Sequence, residues 1–389
     1  MPILNRAAEL EADVREWRHY LHQNPELLYD VHDTAAFVAE KLKSFGVDEI
    51  VEGLGKTGVV GLIHGRSGAS GRVIGLRADM DALPLSEITG KPWASQRQGM
   101  MHACGHDGHT AMLLGAARYL AETRSFTGTV AVIFQPAEEG GAGADAMIKD
   151  GLMERFAIEE VYGMHNMPGM AVGTFAMRKG GIMAAPDKFF ITIKGRGGHA
   201  AEPHRAIDPI AIGAEIVTNL QLIAARNANP VHSLVISVTR FQAGTTHNII
   251  PEEAHLTGTA RTHDDAMQDL AERRIREIAT GIAAAHGASA EVVYERPCPV
   301  TSNHPQETDY AARAAIDIAG AANVNTAVEP SMAGEDFAFM LKARPGAYIM
   351  IGNGDTAGLH NPAYDFNDDA IAYGISYWAK LCEQRLGPA

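Results

Sequence analysis

Residues 72–81 read Arg-Val-Ile-Gly-Leu-Arg-Ala-Asp-Met-Asp. An apolar run with Arg72 before it and acids after it reads as a strand through Ala78 that ends in the polar segment Asp79-Met80-Asp81. The pattern recurs along the chain. Gly58 to His64, Thr129 to Gln135, Val161 to Met164 and Ala347 to Gly352 are short apolar runs bounded by Gly, Pro or charge, with helical stretches between several of them. This alternation predicts an α/β fold built on a mixed, largely parallel sheet covered on both faces. Ahead of these strands Thr34 to Gly46 reads as a helix: Thr34 can cap it, Val38, Leu42 and Phe45 recur at helical spacing, and Gly46 can end it.

From about Lys188 the texture changes. Phe189–Lys194, Leu234–Gln242, His255–Thr262 and Ala290–Glu295 read as strands, and Ile207–Arg226 and Asp264–His286 as helices. The order β-α-β-β-α-β fits a ferredoxin-like module over 187–296, inserted into a discontinuous domain formed by 1–186 and 297–389.

The composition narrows the function. A chain of 389 residues with 46% hydrophobic and 21% charged residues is globular, with room for two domains. A net charge of −14 without a Lys/Arg cluster argues against nucleic acid and leaves small molecules as the expected ligands. Neither a signal-like start nor a membrane-length apolar window is present, so a cytoplasmic location is expected. Cys104, Cys298 and Cys382 are odd in number and far apart, which speaks against a disulfide framework.

In open α/β sheets ligands gather beyond the carboxyl ends of the strands. Four strand ends here offer metal ligands or proton carriers: Asp79 and Asp81, Glu138 and Glu139, His165, and His360. A fifth source is Met101-His102-Ala103-Cys104-Gly105-His106-Asp107-Gly108-His109, placed before an apolar stretch, Met112 to Leu120, that reads as a helix. Thiolate, imidazole and carboxylate together suit Zn²⁺, Mn²⁺ or Co²⁺ better than Mg²⁺ or Ca²⁺, which prefer oxygen. The surplus of candidates points to two ions about 3.5–4 Å apart, with Cys104 as the candidate bridge. Of the adjacent Glu138 and Glu139, one is expected to ligate and the other to carry the proton. Asp107 also reads as a helix N-terminal acid and His109 as a supporting residue, so neither is counted as a ligand. Asp79 and Asp81 could equally be turn residues closing a strand.

These segments together resemble a known family. Met101–Gly115 (MHACGHDGHTAMLLG), Leu76–Pro84 (LRADMDALP), Gln135–Gly140 (QPAEEG), Gly195–Pro203 (GRGGHAAEP) and Asn248–Pro251 (NIIP) look like the hippurate-hydrolase-type amidohydrolases. These are a branch of the dinuclear aminoacylase and carboxypeptidase family. The likeness runs from Arg18-His19-Tyr20-Leu21-His22 and Asn24-Pro25-Glu26 to Gly334-Glu335-Asp336-Phe337 and His360-Asn361-Pro362.

The resemblance implies metal ligands Cys104, His106, Glu139, His165 and His360, two divalent transition-metal ions per subunit (Mn²⁺, Zn²⁺, Co²⁺ or Ni²⁺), and Glu138 as general base. It also implies an aspartate that orients the centre. Asp81 corresponds to it, although Asp79, where many relatives carry a histidine ligand, leaves that role open between the two. The inserted module resembles a lid or dimerisation domain. Within it His199 would stabilise the oxyanion, and Asn248 and Arg261 would bind the substrate carboxylate. A homodimer or dimer-based oligomer is implied.

The expected reaction is hydrolysis of N-acyl amino acids such as hippurate or N-acetyl conjugates. A carboxypeptidase or dipeptidase acting on short peptides is the nearest alternative, and a cysteine hydrolase with Cys104 as nucleophile is the alternative from another class.

Overall fold

The computed structural model describes residues 4–66 and 71–387, which form two compact units. Unit 1 takes in the chain up to Ile182, then Ser302–Glu329 and the segment from Asp336 onward; unit 2 takes in Met183–Thr301 and Pro330–Glu335.

Unit 1 is built on a mixed, largely parallel sheet. Its strands β1 (Glu49–Leu54), β2 (Gly58–His64), β3 (Val73–Asp79), β4 (Thr129–Gln135) and β5 (Glu160–Met167) lie in the order β1-β2-β4-β3-β5, followed by Gly346–Gly352, Phe175–Ala176 and Val324–Asn325. β3 runs parallel to β4 and β5, and β5 parallel to Gly346–Gly352, while β1 and β2 turn antiparallel at one side. Every residue of β3, β4 and Gly346–Gly352 is buried, which is why these strands read as continuous apolar runs and not as alternating ones.

Helices α1 (Asn5–Gln23), α2 (His32–Ser44) and α3 (His106–Thr123) belong to the same unit. α3 is buried along most of its length and fits closely against its neighbours. A Cβ at Gly115 would stand 2.6 Å from the Ile375 side chain and 3.0 Å from that of Val14 on α1.

Several elements differ from the sequence expectation for identifiable reasons. α2 starts at His32, and Thr34 is not its cap. Glu26, from the preceding segment, accepts hydrogen bonds from the Asp33 and Thr34 amides at 3.2 and 2.8 Å, so a carboxylate outside the helix satisfies its first donors. α3 starts at His106, six residues before its apolar periodicity, and β5 continues through His165 to Met167. β1 was not expected: most of it is exposed or half-exposed, so no apolar run marks it.

Unit 2 has the β-α-β-β-α-β order. Strands Ala185–Lys194, Leu234–Ala243, Glu253–Thr262 and Ser289–Glu295 alternate with helices Pro209–Leu222 and Asp265–Ala285 in the anticipated sequence. The sheet order is Leu234–Ala243, Glu253–Thr262, Ala185–Lys194, Ser289–Glu295, antiparallel throughout. Phe189, Ile191 and Ile193 alternate with exposed or half-exposed neighbours along one strand and join Ile212, Ile216, Leu220, Ile275 and Ala279 in this unit's core. Asp208 and Asp264 cap the two helices, accepting from the amides of Ile210 and Met267, each at 2.9 Å.

Candidate metal centre

The carboxyl ends of the parallel strands carry the polar residues. Asp79 is the last residue of β3, with Asp81 two positions on; Glu138 and Glu139 follow β4 after Pro136-Ala137; His165 sits near the end of β5; His360 lies in the loop after Gly346–Gly352. Cys104 and His106 flank Gly105, which holds φ +88° at the start of α3. Ala137 and His360 are non-glycine residues at positive φ, +56° and +59°. The backbone around the site is therefore bent into sparsely populated conformations, a kind of strain that clusters at functional sites.

Two triads form around one sulfur. Cys104, His106 and His165 make one group and Cys104, Glu139 and His360 another, each with one potential ligand atom per residue and all within 4.8 Å of one another. Cys104 Sγ lies 3.4 Å from His165 Nε2, and His360 Nε2 lies 3.3 Å from Glu139 Oε1. A third group joins His106 to Glu138 and Glu139. All five residues expected as ligands, and Glu138, thus come together.

The donor set fits divalent ions on independent grounds. Among the described residues the buried His106 Nε2 has no hydrogen-bond partner, and the buried Glu139 Oε1 faces His360 Nε2 at 3.3 Å without a well-formed hydrogen bond, an expensive condition that a cation would relieve. His106 Nδ1 donates to the Asp81 carbonyl at 2.8 Å and His165 Nδ1 to the Asn166 carbonyl at 2.6 Å, so in each ring Nε2 is the atom left for a metal. Burial, reinforced by His109, holds His165 well below its ordinary pKa and therefore neutral. Burial opposes charge on His106 too, but Asp79, Cys104 and the hydrogen bond to Asp81 together outweigh it and hold the ring well above the usual histidine range; a cation on Nε2 would take the place of that proton. Burial also pushes the Cys104 thiol well above its ordinary pKa, so a nearby cation is what would make it a thiolate.

The two aspartates separate in role by their partners. Asp81 accepts the Glu138 amide on Oδ1 at 3.0 Å and the Glu139 amide on Oδ2 at 3.1 Å, so one carboxylate fixes the backbone of both glutamates. Asp79 faces the other way: Oδ1 accepts from His109 Nδ1 at 2.7 Å and Oδ2 from Arg77 Nη1 at 2.8 Å, with His106 Nε2 at 3.6 Å. Burial opposes its charge, but His106, Arg77 and His109 outweigh that and hold Asp79 well below the usual carboxylate range. Arg77 itself is buried, with its Nε donating to Gln135 at 2.8 Å and its Nη2 to Asp336 at 3.1 Å.

Asp107 sits next to a ligand candidate and points elsewhere. Its Oδ2 accepts from His22 Nδ1 at 2.8 Å, with Arg18 Nη1 at 3.6 Å. Burial disfavours the charged His22 ring, yet Asp107 together with Glu87, 3.4 Å from Nε2, more than compensates and pushes its pKa up to about 9. That value lies above the ~6.5 of an unfolded histidine, so the stabilisation is complete below about pH 6.5 and is lost as pH rises through about 9. Its ceiling is on the order of 3 kcal/mol. His22→Gln is expected to lower the urea midpoint most at about pH 6, with the gap to the parent protein narrowing above about pH 9. A gap independent of pH would remove this account.

The other residues expected from the sequence, His199, Asn248 and Arg261, lie in unit 2. His199 pairs with Ile249 in a short ribbon, and its Nδ1 accepts from the Ala201 amide at 3.0 Å, which makes Nε2 the proton-bearing nitrogen. The Asn248 carbonyl accepts from the Ala200 amide at 3.1 Å. Arg261 lies on Glu253–Thr262, half-buried, and donates to the Ala260 carbonyl at 3.1 Å and to Thr259.

Comparison with known proteins agrees with this geometry. The pattern of peptidase family M20/M25/M40 matches residues 75–384. A hippurate hydrolase from Campylobacter jejuni is 43% identical over 99% of this chain and 100% of its own length. An N-acetylcysteine deacetylase from Bacillus subtilis is 39% identical over 94% of each. The crystal structure of a dinuclear metal-binding M20 peptidase from Bacillus subtilis superposes with a TM-score of 0.86 at 35% identity, covering 98% of this chain and 100% of that one. With the family pattern spanning most of its length and two triads meeting at Cys104, this chain belongs to peptidase family M20/M25/M40.

Proposed function

We infer that the chain is a metal-dependent amidohydrolase that cleaves the amide bond of N-acyl amino acids, releasing a carboxylate and a free amino acid. The observation that carries this reading is the pair of triads sharing Cys104, with Glu138 beside them and its backbone held by Asp81. Cys104, His106, Glu139, His165 and His360 would hold two divalent ions, with Mn²⁺, Zn²⁺, Co²⁺ and Ni²⁺ all compatible with the donor set. When bound, such ions supply Lewis acidity, which favours deprotonation of water and polarises the acyl oxygen.

The protein's own groups then divide the work. Glu138 accepts the proton of the attacking water and returns it to the departing amine. His199, carrying its proton on Nε2, donates to the developing oxyanion. Asn248 and Arg261 receive the carboxylate of the amino-acid part. Asp81 keeps Glu138 and Glu139 in register, and Asp79 supports the centre through His109. Hippurate, N-acetyl amino acids and short peptides share the amide and carboxylate that this arrangement addresses. Cys104 as a nucleophile is disfavoured, because its sulfur is buried and its thiol is held well above its ordinary pKa.

Treatment with a chelator should abolish hydrolysis of N-benzoyl and N-acetyl amino acids, and Mn²⁺ or Zn²⁺ should restore it. Turnover that resists the chelator but stops on thiol alkylation would replace this reading with the cysteine-hydrolase one.

We also expect a dimer formed through unit 2, whose sheet exposes Phe190, Val235 and Val293; a monomeric mass by light scattering would rule it out. Among the described residues no helix is long and apolar enough to cross a membrane, and none of the three cysteines forms a disulfide. A reducing cytoplasmic setting accommodates the cysteines.

A further inference from the structure

Asn166, the residue after His165, has no assigned part in the site, yet all four of its polar groups are engaged there. Its carbonyl accepts from His165 Nδ1 at 2.6 Å, and its amide N–H donates to His109 Nε2 at 2.9 Å. Its side-chain Nδ2 donates to the Cys104 carbonyl at 2.7 Å, and its Oδ1 accepts from the Tyr364 hydroxyl at 2.7 Å. Asn166 and Tyr364 are both fully buried.

Donor and acceptor roles are determined at each contact. The Cys104 carbonyl can only accept, so the atom facing it must be the amide nitrogen, and Oδ1 is left for the tyrosine. His109 Nε2 accepts the Asn166 N–H, so the proton of that ring sits on Nδ1 and is donated to Asp79. The Asn166 carbonyl likewise holds the His165 proton on Nδ1 and leaves Nε2 toward Cys104 Sγ.

The space around this residue is equally committed. A Cβ on Gly105 would stand 2.2 Å from Asn166 Nδ2 and 2.4 Å from the Tyr364 hydroxyl. Glycine is required there by its φ of +88° and again by the amide and phenol that fill the volume of a side chain.

We propose that Asn166, braced by Tyr364, is a positioning residue that fixes the Cys104 loop, the His165 tautomer and the Asp79–His109 pair as one unit, so that the shared sulfur and its imidazole partner are presented together to the metal. A buried asparagine often serves only to satisfy neighbouring backbone. Here its partners are a ligand candidate's own ring, another's carbonyl and the histidine that ties Asp79 to the site. The proposal rests on the ligand assignment above.

The test uses Co²⁺ added to the metal-free full-length protein, reading affinity and the thiolate-to-cobalt charge-transfer band, with the melting temperature of the metal-free protein measured alongside. Asn166→Ala should weaken Co²⁺ binding about 10–100-fold and shift or weaken the band. Tyr364→Phe should move both readouts the same way by less. Tyr162→Phe removes a buried hydrogen bond to Glu160 nearer the start of the same strand. It should lower the melting temperature while leaving affinity and band unchanged.

Parental affinity and band in Asn166→Ala would overturn the proposal. If that variant does not fold, the same result in Tyr364→Phe would overturn it, as would an equal loss in Tyr162→Phe. Cys104→Ser separates the two levels of inference: a band that survives in Cys104→Ser refutes the ligand assignment itself, whatever Asn166 does.

Discussion

Glu138→Gln is expected to lower kcat by roughly 10²–10⁴ while leaving KM and metal content near those of the parent. The substitution is isosteric, and the Asp81 clamp acts on the Glu138 backbone amide, so the loop should keep its place. What disappears is the ability to take a proton from water and hand it to the leaving amine. Proximity alone would also permit Glu138 as a ligand, since it groups with His106 and Glu139. Elemental analysis of the variant decides the matter: retention of both ions with lost turnover fits the base, whereas loss of one ion reassigns Glu138 to the metal. Near-parental turnover would remove it from the chemistry altogether.

The second large effect lies in the strand beneath the site. Arg77→Met is expected to destabilise the protein by about 3–5 kcal/mol, because it leaves buried charge without its partner. Arg77 spans Gln135, Asp79 and Asp336 through three different nitrogens. Asp336 keeps Gln135 Nε2 at 2.8 Å and the Ala144 amide at 3.0 Å, and Asp79 keeps His109, so the variant should fold at reduced urea midpoint. Arg77→Lys should fall between the two, since a single ammonium cannot reproduce the three-way fork. Unchanged denaturation of Arg77→Met would show that the network contributes little.

Legibility in the sequence followed burial and chemistry in different ways. β2 and β4 were bounded correctly because every position but the last of β2 is buried, and glycine or polar residues stand at their ends. The first turn of α3 was missed because His106, Asp107, His109 and Thr110 are polar and yet buried, which breaks the apolar period just where the site is built. β5 was cut short for the same reason, at His165 and Asn166. The ligand candidates stood out by element preference, a property each residue carries alone. Asn166 and Tyr364 did not, because their part depends on contacts such as Tyr364 to Asn166, 198 positions apart in the chain. Arg77 did carry a signal: an arginine inside an otherwise apolar strand must find buried partners.

The loop at His360 bears on how such a chain can drift over generations. His360 combines φ +59° with an amide that donates to the Ala103 carbonyl at 2.8 Å, tying its turn to the segment that carries Cys104. Histidine, asparagine and aspartate are the side chains enriched in that left-handed region. All three can offer a donor atom to a metal, whereas glycine suits the turn and offers none. Variation compatible with both the turn and the proposed ligand role is thereby confined to a handful of residues, so position 360 should change across lineages far more slowly than its half-exposed surroundings would suggest.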